Sequence, residues 1–144
     1  MIKFLISATD GSEGAARAVA FAADLAKSLD AKLLLVHVSE DKLSYDELNE
    51  LARLRISEGD ALEEISRRIL AGAQAVAHDH GAVKVETAKA AGDPAKVLME
   101  IVETRQADAI VVGRRGRSQI AGLLLGSVSQ KLTSLAPCAV IVVP

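Results

Sequence analysis

One segment of the sequence joins a short aliphatic run, a glycine loop and the start of a helical pattern. Residues 109–112 read Ala-Ile-Val-Val, and Gly113 closes them. A run this short, β-branched and ended by glycine is typical of a buried strand in a parallel sheet. Ser127 then precedes an apolar pattern of helical spacing, and serine is a preferred N-cap residue. The segment therefore predicts a strand, a glycine loop and a helix N-terminus in succession.

This succession suits an anion. Glycine has no Cβ, so backbone N–H groups can approach a phosphate closely, and Gly113 and Gly126 could adopt positive φ. The start of a helix adds unpaired N–H groups and the positive end of its dipole. The spacing matches neither Gly-x-x-x-x-Gly-Lys-Ser/Thr nor Gly-x-Gly-x-x-Gly, however. From the residues alone, a phosphate loop and a plain structural loop remain equally open.

The rest of the chain alternates strand and helix patterns. Further strands are predicted at residues 2–7, 31–38, 83–88 and 139–143, with amphipathic helices between them. Asp93 and Pro94 mark one helix entry as cap and first helical residue. Five strands alternating with four helices predict one domain over residues 1–144, an open, doubly wound, Rossmann-like parallel sheet. Ligands of such sheets bind at the carboxyl ends of the strands.

Residues 39–57 interrupt the pattern with polar and charged side chains. We interpret them as an exposed loop with a short helix rather than as a functional segment.

Composition narrows the function classes. Aromatic residues make up only 2% of the chain and the net charge is −2, which argues against a nucleic-acid surface. No apolar run approaches the roughly 20 residues of a membrane span, so no membrane insertion is expected. The single cysteine excludes an intramolecular disulfide and is compatible with a reducing compartment. The sequence predicts a soluble, cytoplasmic protein.

The glycine spacing also carries a family resemblance. Gly113-x2-Gly116-x9-Gly126-Ser127, together with Asp10-Gly11-Ser12, resembles the ATP-binding branch of the universal stress protein family over essentially the whole chain. The resemblance implies the strand order 3-2-1-4-5 and a nucleotide-responsive stress or regulatory role. It also implies a homodimer through the terminal strand Ala139–Val143. ATP and Mg²⁺ are the cofactors it implies, with adenine at Val38. The nucleotide-binding set that we expect comprises Ala8, Asp10, Val38, Gly113, Arg114, Arg115, Gly116, Arg117, Ser118, Gln119, Gly126, Ser127, Val128 and Ser129.

Asp10 has a structural alternative. At the carboxyl end of a strand it could serve only as a turn or helix cap. A carboxylate is also the ligand type that Mg²⁺ prefers, and the resemblance favours that role. The family often has proline two positions before this residue, where Ala8 stands here.

The arginines beside the glycines could be solvated charge. In a loop that presents N–H groups, we expect Arg114, Arg115 and Arg117 to attract a triphosphate.

Other candidates carry less. His37 reads as structural or exposed, His78-x-His80 lacks the companions of a metal site, and Cys138 reads as a small core residue. The sequence contains no recognisable catalytic arrangement, so the enzymatic alternative is at most a slow ATPase. A nucleotide-free adaptor dimer is the other alternative.

Overall fold

Five short strands pair side by side in the computed structural model, which describes residues 1–40, 43–115 and 125–144. All neighbouring strands run parallel, and their order is β3-β2-β1-β4-β5, which confirms the predicted class and order. The strands are β1 Phe4–Ala8, β2 Lys32–Ser39, β3 Val85–Ala91, β4 Ala109–Gly113 and β5 Ala139–Val143.

Helices follow the strands in sequence. They are α1 Glu13–Leu29, α2 Tyr45–Leu54, α3 Glu58–Asp79, α4 Pro94–Arg105 and α5 Ser127–Leu135. The short helix expected within residues 39–57 is α2, which makes five helices in the described part of the chain rather than four. Four of the five begin at a polar cap whose side chain accepts a backbone N–H: Ser12, Ser44, Ser57 and Asp93. The predicted entry at Asp93 and Pro94 is thereby confirmed.

The sheet separates two aliphatic cores because successive strand residues face opposite sides. Leu33 and Leu35 of β2 join the core beneath α1 and α3. Leu34 and Val36 join the core beneath α4 and α5. Burying each such side chain stabilises the fold by about 1.5–3 kcal/mol, and both cores together make the sheet a rigid platform. None of the described helices is both long enough and apolar enough to span a lipid bilayer.

The start of β1 is fastened to the turn before β4. One carboxylate oxygen of Asp108 accepts the backbone N–H groups of Lys3 and Phe4 at 2.8 and 2.9 Å. These hydrogen bonds hold the pKa of the Asp108 carboxyl below its usual value. With β1 and β4 paired, the loops that leave their carboxyl ends lie side by side.

Candidate functional site

A cleft of about 580 Å³ opens at the carboxyl edge of the sheet. It lies at the end of β1, which has β2 on one side and β4 on the other, so that the strand order reverses there. Open α/β sheets bind their ligands at such a point. Its volume falls in the usual range for small-molecule sites. Nine of the predicted residues line it: Ala8, Asp10, Val38, Gly113, Arg115, Gly126, Ser127, Val128 and Ser129.

The loop after β1 holds Asp10 at the cleft. Its Oδ1 atom accepts the backbone N–H of Ser12 at 2.9 Å. The hydroxyl of Ser12 in turn accepts the N–H of Ala15 at 3.2 Å and caps α1. Gly11 turns the chain with φ of 82°, a value that favours glycine. The capping role therefore belongs to Ser12, while Asp10 both closes the turn and lines the cleft.

On the opposite side, the loop after β4 is joined to the start of α5. The carbonyl oxygen of Arg114 accepts the N–H of Gly126 at 2.7 Å and the hydroxyl of Ser129 at 2.8 Å. The N–H of Arg114 donates to the carbonyl of Val143 at 2.8 Å. Ser129 is buried, so its hydroxyl acts as a structural link between the two ends of the glycine motif.

The N-cap of α5 is Gly126, so the prediction of Ser127 was wrong by one residue. Gly126 has extended backbone with φ of −74°, and no side chain in the described part of the chain caps the helix. Serine is compatible with the N-cap and with the first helical position, and here Ser127 is the first residue of the helix. This helix start therefore lines the cleft without a cap from any described side chain, in contrast to α1, α2, α3 and α4.

The expectation of positive φ at Gly113 and Gly126 was also wrong. The described glycines with positive φ are Gly11, Gly81 and Gly92. Gly113 is explained by close packing instead, since a Cβ there would lie 3.0 Å from the carbonyl carbon and oxygen of Gly14. The end of β4 thus lies directly on the first turn of α1.

The arginines of the loop differ in position. Arg115 lines the cleft, whereas Arg114 does not. The Nε atom of Arg114 is buried and has no hydrogen-bond partner among the described residues. Four predicted residues lie outside the described part of the chain: Gly116, Arg117, Ser118 and Gln119.

Sequence reasoning missed one wall of the cleft. Leu43 from the segment before α2, and Leu62 and Ile65 from α3, line it together with Glu40 and Glu47. A signal was present in the sequence: Ser44 followed three residues later by Glu47 is a capping box, and the structure forms it. What the sequence could not show is that this helix pair folds back to the end of β2.

His37 belongs to the same region. It is 6% exposed, lines the cleft, and its Nδ1 atom lies 2.8 Å from the hydroxyl of Ser66. This contact ties β2 to α3, as a structural histidine would.

The other histidines and Cys138 lie outside the cleft. His80 contacts Asp24 at 2.9 Å, and the described residues contain no group of three or more His, Cys, Asp or Glu that could hold a metal. Cys138 packs at the edge of one core, and burial raises the pKa of its thiol, which disfavours a reactive thiolate.

Comparisons with known proteins agree with this geometry. The profile of the Universal stress protein family matches residues 1–144. A universal stress protein of Thermus aquaticus is 34% identical over 146 residues, which cover 99% of each chain.

Solved structures show the same fold. A universal stress protein in complex with cAMP is 29% identical, with a TM-score of 0.73 over 99% of this chain and 96% of that one. A universal stress protein from Archaeoglobus fulgidus in complex with dAMP has a TM-score of 0.71 over 100% of this chain and 98% of that one. At 21% identity this second likeness supports the fold alone. On the family match and the relative from Thermus together, this chain belongs to the universal stress protein family.

Proposed function

We propose that this protein binds an adenine nucleotide, ATP with Mg²⁺, in the cleft above β1 and β4. The adenine lies near Val38, and the ribose and the metal-linked phosphates lie near Asp10. The phosphates rest on the loop after Gly113 and on the start of α5 at Gly126. The relative that is 29% identical and carries cAMP supports an adenine nucleotide as the ligand class.

The observation that carries the proposal is the uncapped N-terminus of α5 beside Arg115. Both line the same cleft, and no side chain among residues 1–40, 43–115 and 125–144 caps this helix. Unpaired N–H groups, the helix dipole and a guanidinium all favour an anion. A phosphate at this end satisfies the N–H groups that every helix leaves open at its start.

Mg²⁺ fits the donors that are present, provided the nucleotide supplies the rest. Asp10 places a carboxylate in the cleft, oriented by its hydrogen bond from Ser12. Since the described residues hold no cluster of three metal-ligating side chains, an all-protein cage is not available there. Mg²⁺ is commonly held by one or two carboxylates together with substrate phosphates and water, and Asp10 would be that carboxylate.

The regulatory role follows from binding as a population shift. A nucleotide that binds one state of a dimer or partner complex better than another favours that state by its difference in affinity. We place this action in the cytoplasm, in line with the single cysteine of the chain.

Slow hydrolysis of ATP remains the second candidate, because it would use the same cleft. It requires a group that orients water. His37, the histidine among the cleft residues, is buried and hydrogen-bonded to Ser66. Binding without dedicated catalysis is therefore the function that the described side chains support best.

Mass spectrometry of the denatured, freshly purified protein tests the proposal. We expect co-purified ATP, or, from apo protein, saturable ATP binding in calorimetry. ADP or AMP alone in the purified protein would favour hydrolysis. A protein that carries no nucleotide and binds none would favour the adaptor instead.

A further inference from the structure

We propose that the α2–α3 hairpin is the base-facing wall of the nucleotide cleft and that the bound base holds α2 in place. This inference rests on the proposed nucleotide function and deepens it. It assigns a binding role to residues 43–65, which the glycine motif does not include, and names a heterocyclic base as the group that they contact.

The cleft has different chemistry on its two sides. Leu43, Leu62 and Ile65 line the side next to β2 together with Glu40 and Glu47, and Ile65 is 39% exposed. Aliphatic and acidic side chains thus form this side, and neither kind attracts a phosphate. On the other side of β1 lie Arg115 and the uncapped start of α5. A ligand with an apolar ring at one end and an anion at the other matches both sides in only one orientation. The partly exposed aliphatic side chains are then the surface that the ring buries.

The α3 half of this wall is anchored in the protein core. Ser66 is 3% exposed and contacts His37 of β2, while Leu70, Ala73 and Ala77 are buried against α1 and the sheet. Leu62 and Ile65 lie on the first turns of this same helix. The α3 side of the cleft is therefore a fixed surface whether or not a ligand is bound.

The α2 half has no buried side chain of this kind. None of its ten residues is buried, and Tyr45 and Leu54 are 78% and 55% exposed. Its N-terminal end is held locally, since the Ser44 hydroxyl accepts the N–H of Glu47 at 3.2 Å and the Glu47 carboxylate accepts that of Ser44 at 2.8 Å. A helix of this length is marginal in water without tertiary packing.

Ligand contact can supply the missing packing. Leu43, which precedes the cap of α2, and Glu47 in its first turn both line the cleft. A base seated there contacts the start of α2 and stabilises the helix relative to its frayed state. By linkage, a change that destabilises α2 weakens binding of the base by at most the same free energy, and by all of it only when the frayed state predominates without ligand.

Hydrogen exchange, followed by mass spectrometry, tests which part of the ligand acts on α2. Peptides that cover residues 43–56 are compared with and without Mg·ATP, adenosine or inorganic tripolyphosphate. We expect slower exchange with ATP and with saturating adenosine, and no change with tripolyphosphate. Protection by tripolyphosphate but not by adenosine would overturn the assignment of the base to this wall.

Cap variants test the coupling from the other direction. Ser44 does not line the cleft, and Ser44→Ala removes the side-chain cap of α2 together with the hydrogen bonds of that hydroxyl to Glu47. It should weaken ATP binding by about fivefold. Ser44→Thr keeps the hydroxyl and should bind as the wild type does. Ser57→Ala is the matched control, because it removes the same kind of cap from the anchored helix α3. The ATP affinity of the Ser57→Ala variant should equal that of the wild type.

The outcomes separate the inference from the function beneath it. If the wild type binds ATP but Ser44→Ala binds it equally well and residues 43–56 gain no protection, the role of α2 is wrong and nucleotide binding stands. Equal losses in Ser44→Ala and Ser57→Ala would indicate general destabilisation and also overturn the coupling. Absence of any nucleotide binding by the wild type would remove both proposals.

Discussion

Gly14 positions the loop that begins at Gly113, although its place is the second residue of a helix. A Cβ on Gly14 would lie 3.0 Å from the carbonyl oxygen of Arg115, and a Cβ on Gly113 would meet the backbone of Gly14 at the same distance. Two glycines thus allow α1 and the β4 loop to touch backbone to backbone. Glycine usually weakens a helix by about 1 kcal/mol relative to alanine, so its presence here has a packing reason.

Gly14→Ala should therefore fail to give the stabilisation expected of this substitution in a helix. The added methyl must displace the backbone near Arg115, and overpacking of this kind costs about 1–3 kcal/mol. We expect ATP affinity to fall by at least about fivefold, while adenosine, which lacks phosphates, binds nearly as before. Calorimetry with both ligands and a thermal melt measure the two effects.

Gly59→Ala is the control for that experiment. Gly59 is also the second residue of its helix, and a Cβ there meets nothing within 4 Å. It should raise stability by up to about 1 kcal/mol and leave ATP affinity unchanged. If Gly14→Ala behaved in the same way, the positioning role of Gly14 would be refuted. Gly113→Val is a poorer test of phosphate contact, because its side chain would first strike Gly14.

Asp10 combines a turn and a proposed metal contact, and Asp10→Asn separates them. Asparagine keeps an oxygen that can accept the N–H of Ser12 but loses the charge that attracts Mg²⁺. We expect the gain in ATP affinity on adding Mg²⁺ to fall by about tenfold, as loss of one direct charge contact would give. The melting temperature should stay close to that of the wild type.

Titration of wild type and Asp10→Asn with ATP, in MgCl₂ and in EDTA, gives the four affinities needed. Asp10→Ala removes the charge and also the oxygen that accepts the N–H of Ser12, so it reports the loss of both roles. An unchanged Mg²⁺ dependence in both variants would assign Asp10 to the turn or the ribose rather than to the cation.

At the scale of elements, strands were the part of this fold that sequence patterns predicted best. Short β-branched runs such as that of β4 are too brief for a helix and too apolar for a loop. Boundaries were less certain, since β1 was expected at residues 2–7 and spans Phe4–Ala8. The order of strands is a long-range property that periodicity does not contain, and here it came from the family resemblance.

The sequence predicted the site residues that lie at strand ends. It did not predict the site residues that reach the cleft through helix packing. Asp10, Val38 and Gly113 each come at the end of a strand, so the topology alone brings them together. Leu62 and Ile65 lie in α3, whose apolar spacing predicts only that one face of the helix is buried. That this face ends at the cleft depends on how α3 crosses β2, and the polar composition before it suggested an exposed loop.

At the scale of the whole molecule, the two sheet edges differ. Edge strand β3 carries Glu86 and Lys89, whose side chains pair with Lys32 and Glu63. Charges of this kind discourage pairing with another chain. Edge strand β5 reads Ala-Val-Ile-Val-Val and carries none. An unprotected edge that pairs with its own copy around a two-fold axis closes after two chains, so we predict a homodimer through Ala139–Val143.

The register of β5 decides which residue tests this dimer. The carbonyl of Val143 accepts the N–H of Arg114, so the backbone of Val143 points toward β4. The N–H and C=O groups of one strand residue share a side, and neighbours alternate. Ile141 therefore also faces β4, and proline there would damage the sheet itself. The outward donors belong to Val140 and Val142.

Val142→Pro should separate the protomers and keep the fold. Proline removes one outward N–H, and it is tolerated on edge strands where that group faces away from the sheet. Val142→Thr has a side chain of the same shape and retains the N–H, so it should remain dimeric. Light scattering at matched concentrations measures the mass, and circular dichroism checks the fold. A monomeric wild type would contradict the prediction, as would a folded Val142→Pro variant that keeps the dimer mass, because a dimer built on this edge requires the backbone donors that point away from β4.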